Sequence, residues 1–120
     1  MPSKLNVKKR DVIGIEMPVT IHGLKESKKV KAKIDTGASL SSIDMKLASE
    51  VGLSLGNKTK LVKQAHGNTL RPTARVKLTI NGETMKTEFT LADRRHLKYK
   101  VLIGLNVLKK GGFLIDPLKK

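Results

Sequence analysis

The chain of 120 residues has no cysteine and no tryptophan, and its aromatic content is confined to Tyr99, Phe89 and Phe113. Without cysteine there is no disulfide and no thiolate metal site, so a reducing compartment suits the protein. With three aromatics, aliphatic side chains must fill the core. No apolar run approaches the ~20 residues of a membrane-spanning helix, and the basic start, Met1 to Arg10, is not followed by the apolar stretch of a signal peptide. These features predict a cytoplasmic chain with no membrane association. Negative charge is scarce too. Ten Asp and Glu oppose 25 Lys and Arg, for a formal charge of +15. Five of the cations are arginine (Arg10, Arg71, Arg75, Arg94, Arg95), so lysine dominates. Such a field attracts polyanions of any kind, but few arginines and fewer aromatics are a poor endowment for base readout or stacking. Binding to nucleic acid is therefore expected to be non-specific and strongly salt-dependent.

The length suits one domain. Residues 1–10 read as a basic arm, 11–117 as the folded domain and 118–120 as a tail. Val12, Ile13, Ile15 and Met17 predict a first strand, continued by Val19 to Ile21 and a turn at His22-Gly23. Residues 25–29 read as a polar loop or strand tip. Val30, Ala32 and Ile34 alternate with lysines, the period-2 pattern of a strand with one wet face. Ser41 to Ile43 predicts a short strand. Asp44 is a fitting N-cap for a helix from Met45 to about Val51, and Gly52 fits its stop. Residues 60–64 and 70–80 bracket His66-Gly67-Asn68 as a hairpin, with Pro72 marking an edge or irregular stretch. Val76, Leu78 and Ile80 alternate toward Asn81-Gly82, the strongest hairpin signal in the chain, and Met85, Thr87 and Phe89 return. A charged loop at 93–98, a buried strand at Val101 to Ile103, one or two helical turns at 105–110 and a last strand at Phe113 to Ile115 complete the order. The pattern predicts a mainly β fold, a small closed or sandwiched β-barrel with one or two short helices.

Chemistry concentrates at Asp35-Thr36-Gly37-Ala38-Ser39. A strand delivers the carboxylate into a loop of small residues, where Gly37 lets a backbone N–H approach it and the hydroxyls of Thr36 and Ser39 are placed to pin the loop. A carboxylate held in this way suits general acid–base work on water, although Asp-Thr-Gly is also an ordinary turn. His22, His66 and His96 have no metal-ligand spacing, and no phosphate-binding glycine loop is present. No metal or cofactor is expected.

The order of strand, Asp35-Thr36-Gly37-Ala38, Ser42-Ile43, short helix, glycine-tipped hairpin and Tyr99 to Leu108 resembles retropepsin-like aspartic peptidases. The block ending in Gly112 to Pro117 is similar to a prokaryotic single-domain branch labelled "ATP-dependent zinc protease", although neither an ATP nor a zinc motif is present here. The resemblance implies an acid-protease barrel in which Leu102-Ile103-Gly104 crosses behind the catalytic loop and the His66-Gly67-Asn68 hairpin is the flap. It implies catalytic Asp35, Thr36 and Gly37, with substrate contacts at Ala38, Ser39, His66, Gly67, Asn68, Leu102 and Ile103. It departs from retroviral members in having Ser39 and Leu40 where they carry acidic residues, and from many retrotransposon members in having Asn106 where they carry aspartate. One triplet per chain implies a homodimer sharing two aspartates. The charge and this branch's link to glutamate-rich tails point to an acidic polypeptide substrate. Two other readings fit the residues: a non-catalytic dimerisation or binding module on the same fold, and a non-specific polyanion-binding protein.

Overall fold

The computed structural model describes residues 10–63 and 67–119, with the side chains of residues 55–58 left aside. Among the described residues nine strands and two helices follow one another: β1 (Val12–Ile13), β2 (Glu16–His22), β3 (Ser27–Ile34), β4 (Ser41–Asp44), α1 (Met45–Val51), β5 (Leu55–Val62), β6 (Thr69–Ile80), β7 (Glu83–Ala92), β8 (Val101–Ile103), α2 (Leu105–Gly111) and β9 (Leu114–Ile115). The basic arm predicted for residues 1–10 lies outside the described residues except for Arg10. Its guanidinium Nε donates to the Gly112 carbonyl at 2.8 Å.

Six strands close a barrel. They run in the order β2, β3, β8, β4, β7, β6, and β6 returns to β2 through Val19↔Ile80 to His22↔Lys77. The barrel is mixed: β3–β8 and β4–β7 are parallel, and the other pairs are antiparallel. Closure removes the open edges that would otherwise invite aggregation. The period-2 pattern decides which face turns inward. Val76, Leu78 and Ile80 of β6 are buried while Arg75 and Lys77 are exposed. Val19, Ile21, Ala32, Ile43, Phe89, Val101 and Ile103 complete an almost wholly aliphatic core. Phe89 is its largest fully buried side chain.

Local signals hold where they are short-range. Asp44 caps α1 by accepting from the Lys46 and Leu47 amides at 3.2 and 3.3 Å, and Gly52 ends that helix in the left-handed region. Asn81 and Gly82 both have positive φ, as a two-residue hairpin of this kind requires. Three boundaries differ from expectation. The first predicted strand is two, because the chain breaks at Gly14-Ile15 and β1 pairs instead in parallel with β9. The polar stretch expected at 25–29 is a strand from Ser27 onward, ordered by its ladder to β2. The hairpin is also longer than predicted, since β5 begins at Leu55. Pro72 is tolerated in β6 because it pairs with Thr59 on one side only; the β7 ladder starts at Thr73.

Beyond the barrel stand two appendages. The far part of the β5–β6 hairpin projects past the end of β7, and the β1–β9 pair forms a separate two-stranded sheet.

Candidate active site

β3 ends at Ile34, and its partner β8 ends at Ile103, opposite it in register. Asp35 continues this contact: its amide donates to the Ile103 carbonyl at 2.9 Å. The loop then turns tightly, with the Ala38 amide 3.3 Å from the Asp35 carbonyl. The Gly37 amide donates to Asp35 Oδ1 at 2.8 Å. A Cβ on Gly37 would lie 3.2 Å from that same oxygen, so glycine keeps the amide's approach uncrowded. Asp35 is half-buried and Thr36 is exposed.

The loop is locked from behind. Amides of Leu105 and Asn106, the first residues of α2, donate to the Ala38 and Ser39 carbonyls at 2.8 and 3.1 Å. Ser41, fully buried at the start of β4, is held through both backbone and side chain. Its amide and hydroxyl donate to Asn106 Oδ1 at 2.9 and 2.8 Å, and its Oγ accepts from the Gly104 amide at 2.9 Å. Asn106 Nδ2 donates in turn to Thr87 Oγ1 and the Glu88 carbonyl, at 3.1 and 2.7 Å. One amide side chain thus ties the Asp35 loop, β4 and β7 together. Gly104 is needed at this crossing, because a Cβ there would meet the Leu40 and Ala38 carbonyl oxygens at 2.6 and 2.7 Å. Pinning by the Thr36 and Ser39 hydroxyls, the sequence-based expectation, is replaced by this clamp: among the described residues neither hydroxyl makes a hydrogen bond.

In front of the loop opens a cleft of about 530 Å³, lined by Gly37, Ala38, Ser39, Leu40 and Leu102 on one side and by Leu61, Val62 and Lys63 of the hairpin on the other. Ala38, Ser39 and Leu102, three of the expected substrate contacts, line this cleft. Ile103 does not: it is fully buried in the core, and β-strand alternation points it away from the cleft that Leu102 faces. Gly67 and Asn68 are exposed on the hairpin but do not line the cleft, and His66 lies outside the described residues.

The remaining lining residues escaped sequence reading. Arg71, Arg94, Ser42, Thr90 and Leu97 all face the cleft. Arg94 opens the charged loop after β7. Its amide donates to Asp44 Oδ1 at 2.7 Å and its Nε to the Tyr99 carbonyl at 2.9 Å. Burial, and then the nearby Arg71, lower the Arg94 pKa from its usual value, while the carboxylates of Asp44 and Asp35 act in the opposite direction. Two guanidinium groups thus crowd one end of the cleft. Ser42 is 5% exposed, and its Oγ has no hydrogen-bond partner among the described residues. A buried hydroxyl left unpaired costs about 1–3 kcal/mol. The one available hint is that Arg94 and Arg71 are arginines in a lysine-rich chain; nothing local places them in the cleft. Among the described residues there is no cluster of three or more His, Asp or Glu side chains able to hold a metal and no helix long and apolar enough to cross a membrane.

The fold has close structural relatives. A Legionella pneumophila protein of unknown function, Lpg0085, superposes with a TM-score of 0.66 at 16% identity, covering 91% of this chain and 95% of that one. The EIAV protease, solved with the inhibitor HBY-793, gives a TM-score of 0.63 at 19% identity over 92% and 96% of the two chains. The simian foamy virus (mac) protease gives 0.58 at 18% identity over 78% and 91%. The barrel is thus of the retropepsin type. Among curated proteins no sequence match is found. The family model described as RimB-like, "Retropepsin-like aspartic endopeptidase RimB", matches residues 54–120, more than half the chain, in a stretch that begins after the Asp35 loop. The chain belongs to the RimB-like family of retropepsin-like aspartic endopeptidases.

Proposed function

We propose that the protein is an aspartic endopeptidase that works as a homodimer, with Asp35 of each subunit sharing one water molecule. The observation that carries this reading is the Asp35 carboxylate, oriented by the Gly37 amide in a loop that is clamped from behind and whose following residues, Gly37 to Leu40, line a cleft. A single carboxylate cannot serve at once as base and acid. Two at close range share one proton, since like charges so near resist double ionisation, as in aspartic proteases generally. The ionised Asp35 then takes a proton from the bridging water as it attacks the scissile carbonyl, and the protonated Asp35 donates its proton to that carbonyl oxygen. The pair titrates as a unit.

The second carboxylate comes from a second copy related by a two-fold axis. The β1–β9 sheet supports such an assembly. It stands outside the barrel and exposes Val12, Leu114 and, just beyond, Leu118, which is 88% exposed. In this reading the β5–β6 hairpin, which lines the cleft through Leu61, Val62 and Lys63, closes over a bound peptide, with Gly67 and Asn68 farther along it.

The substrate in this reading is an acidic polypeptide. Arg71, Arg94 and Lys63 line the cleft and present positive charge to a carboxylate. The overall charge of +15 concentrates such substrates near the surface. Residues 11–117 would be the catalytic unit, of the prokaryotic single-domain type.

Substituting Asp35→Asn tests the chemistry: peptide hydrolysis should fall by about 10²–10⁴-fold with the circular dichroism spectrum and melting temperature unchanged. Turnover retained in this variant contradicts the proposal. Steering is checked by a salt titration. Acidic peptides should be cleaved faster than neutral ones at low ionic strength, with the difference shrinking as salt rises. Equal rates throughout would remove the substrate assignment while leaving the mechanism standing.

A further inference from the structure

A second cavity lies away from the cleft and shares no residue with it. Its origin is topological. Along one edge, β6 pairs with β5 as far as Ala74 and with β2 from Lys77 onward, so Arg75 and Val76 belong to neither ladder. Where the two partner strands part, a groove of about 460 Å³ opens between the end of β2 (His22, Gly23, Leu24) and the approach to β5 (Gly52, Leu53, Ser54). Its cationic side is formed by Arg75, Lys77 and Lys86.

The charges there are uncompensated. Lys77 sits directly opposite Lys86 in the β6–β7 ladder, an arrangement of like charges that destabilises a sheet. Among the described residues none of the three cations makes an ion pair, and no acidic residue lines the groove. Glu88, opposite Arg75 in register, is engaged by Lys60 at 3.8 Å. A fourth cation is close, since Lys110 Nζ donates to the Lys86 carbonyl at 2.8 Å. The His22 ring adds no free donor, being held between Ser27 Oγ and Thr79 Oγ1 at 3.0 and 2.8 Å.

The groove and the cleft lie along the same strand, β6. Alternate residues of a strand share a face, so Arg71, Arg75 and Lys77 stand on one side of β6, with the buried Thr73 between the first two. Arg71 lines the cleft; Arg75 and Lys77 line the groove. The six steps from Arg71 to Lys77 span ~20 Å at ~3.3 Å per residue. An extended polypeptide covers that distance with a similar number of residues.

We propose that this groove is an exosite, a second anion-binding surface that takes carboxylates of an acidic polypeptide while another part of the same substrate occupies the Asp35 cleft. The inference rests on the acidic-substrate reading given above. A polypeptide fits better than single-stranded nucleic acid, because no Phe, Tyr or Trp lines the groove and its one ring, His22, is held between Ser27 and Thr79.

The test uses the full chain carrying Asp35→Asn, so that bound substrate survives, and fluorescence anisotropy with labelled glutamate-rich peptides. One peptide of about 12 residues can reach from cleft to groove and one of about four cannot. Adding Lys77→Glu and Lys86→Glu should weaken the long peptide's binding at least about tenfold and leave the short one's within about twofold. The milder pair Lys77→Gln and Lys86→Gln should lose less in the same direction, with unchanged melting temperature confirming the fold. Equal effects on both peptides, or none on either, overturn the exosite. So does an oligonucleotide of matched charge that binds the parent chain more tightly than the long peptide and loses that binding in the same variants. Failure of the acidic-substrate reading is separately visible, as equal cleavage of short acidic and neutral peptides by the unsubstituted protein.

Discussion

The Asp35 loop and the β5–β6 hairpin form opposite walls of one cleft, and they are secured in opposite ways. Residues 35–40 are bonded to β8 through Ile103 and to α2 through Leu105 and Asn106, and the neighbouring Ser41 is fully buried in the Asn106 network. The hairpin beyond Thr73 pairs only with itself. Its opposed leucines, Leu61 and Leu70, are 53% and 68% exposed. A reacting group must be held to a fraction of an ångström, whereas a wall that admits substrate must be able to move away. The division of labour follows from where the hydrogen bonds are spent.

Substitutions on the two walls should therefore separate stability from turnover. The largest loss is expected for Gly104→Ala. Its Cβ would meet two backbone carbonyl oxygens at 2.6 and 2.7 Å, and neither can retreat without moving the Asp35 loop. A cost of about 3 kcal/mol in urea unfolding is expected, together with loss of hydrolysis. Stability within about 0.5 kcal/mol of the parent would show that the crossing is not rigid. Next is Asn106→Ala, which strands the Ser41 hydroxyl and the Glu88 carbonyl. About 2 kcal/mol is expected, and Asn106→Asp should not rescue it, since a carboxylate cannot donate to that carbonyl. Smallest in stability is the double change Leu61→Ser and Leu70→Ser. Unfolding should shift by no more than about 0.5 kcal/mol, while KM for peptide rises several-fold. A large loss of stability here would make the hairpin part of the core and erase the contrast.

The same contrast explains what could be read without coordinates. Signals within a few residues were reliable. Asp44 and Gly52 bounded α1, Asn81-Gly82 made its hairpin, and the lysine alternation around Val30, Ala32 and Ile34 fixed the strand that carries Asp35. The stretch of β5 from Leu55 to Thr59 was missed because its residues carry no alternation; the ladder to β6 orders it. The clamp was also misassigned. Thr36 and Ser39 adjoin the triplet, but the bonds come from Ser41 and Asn106, 65 residues apart. Arg71 and Arg94 are invisible as cleft residues for the same reason, since they come together at the cleft only once the barrel is closed. The resemblance implies substrate contacts at both Leu102 and Ile103, but a one-residue step along a strand reverses the face, and Ile103 is buried in the core.

All of the proposed chemistry depends on the two Asp35 side chains meeting across a two-fold axis. A crystal structure of the active protein with a bound peptide analogue measures their separation directly. The account predicts a symmetric pair with each carboxylate ~2.6–3.2 Å from one shared water or its mimic. A peptide held against a single Asp35, with the second copy distant or absent, would contradict it.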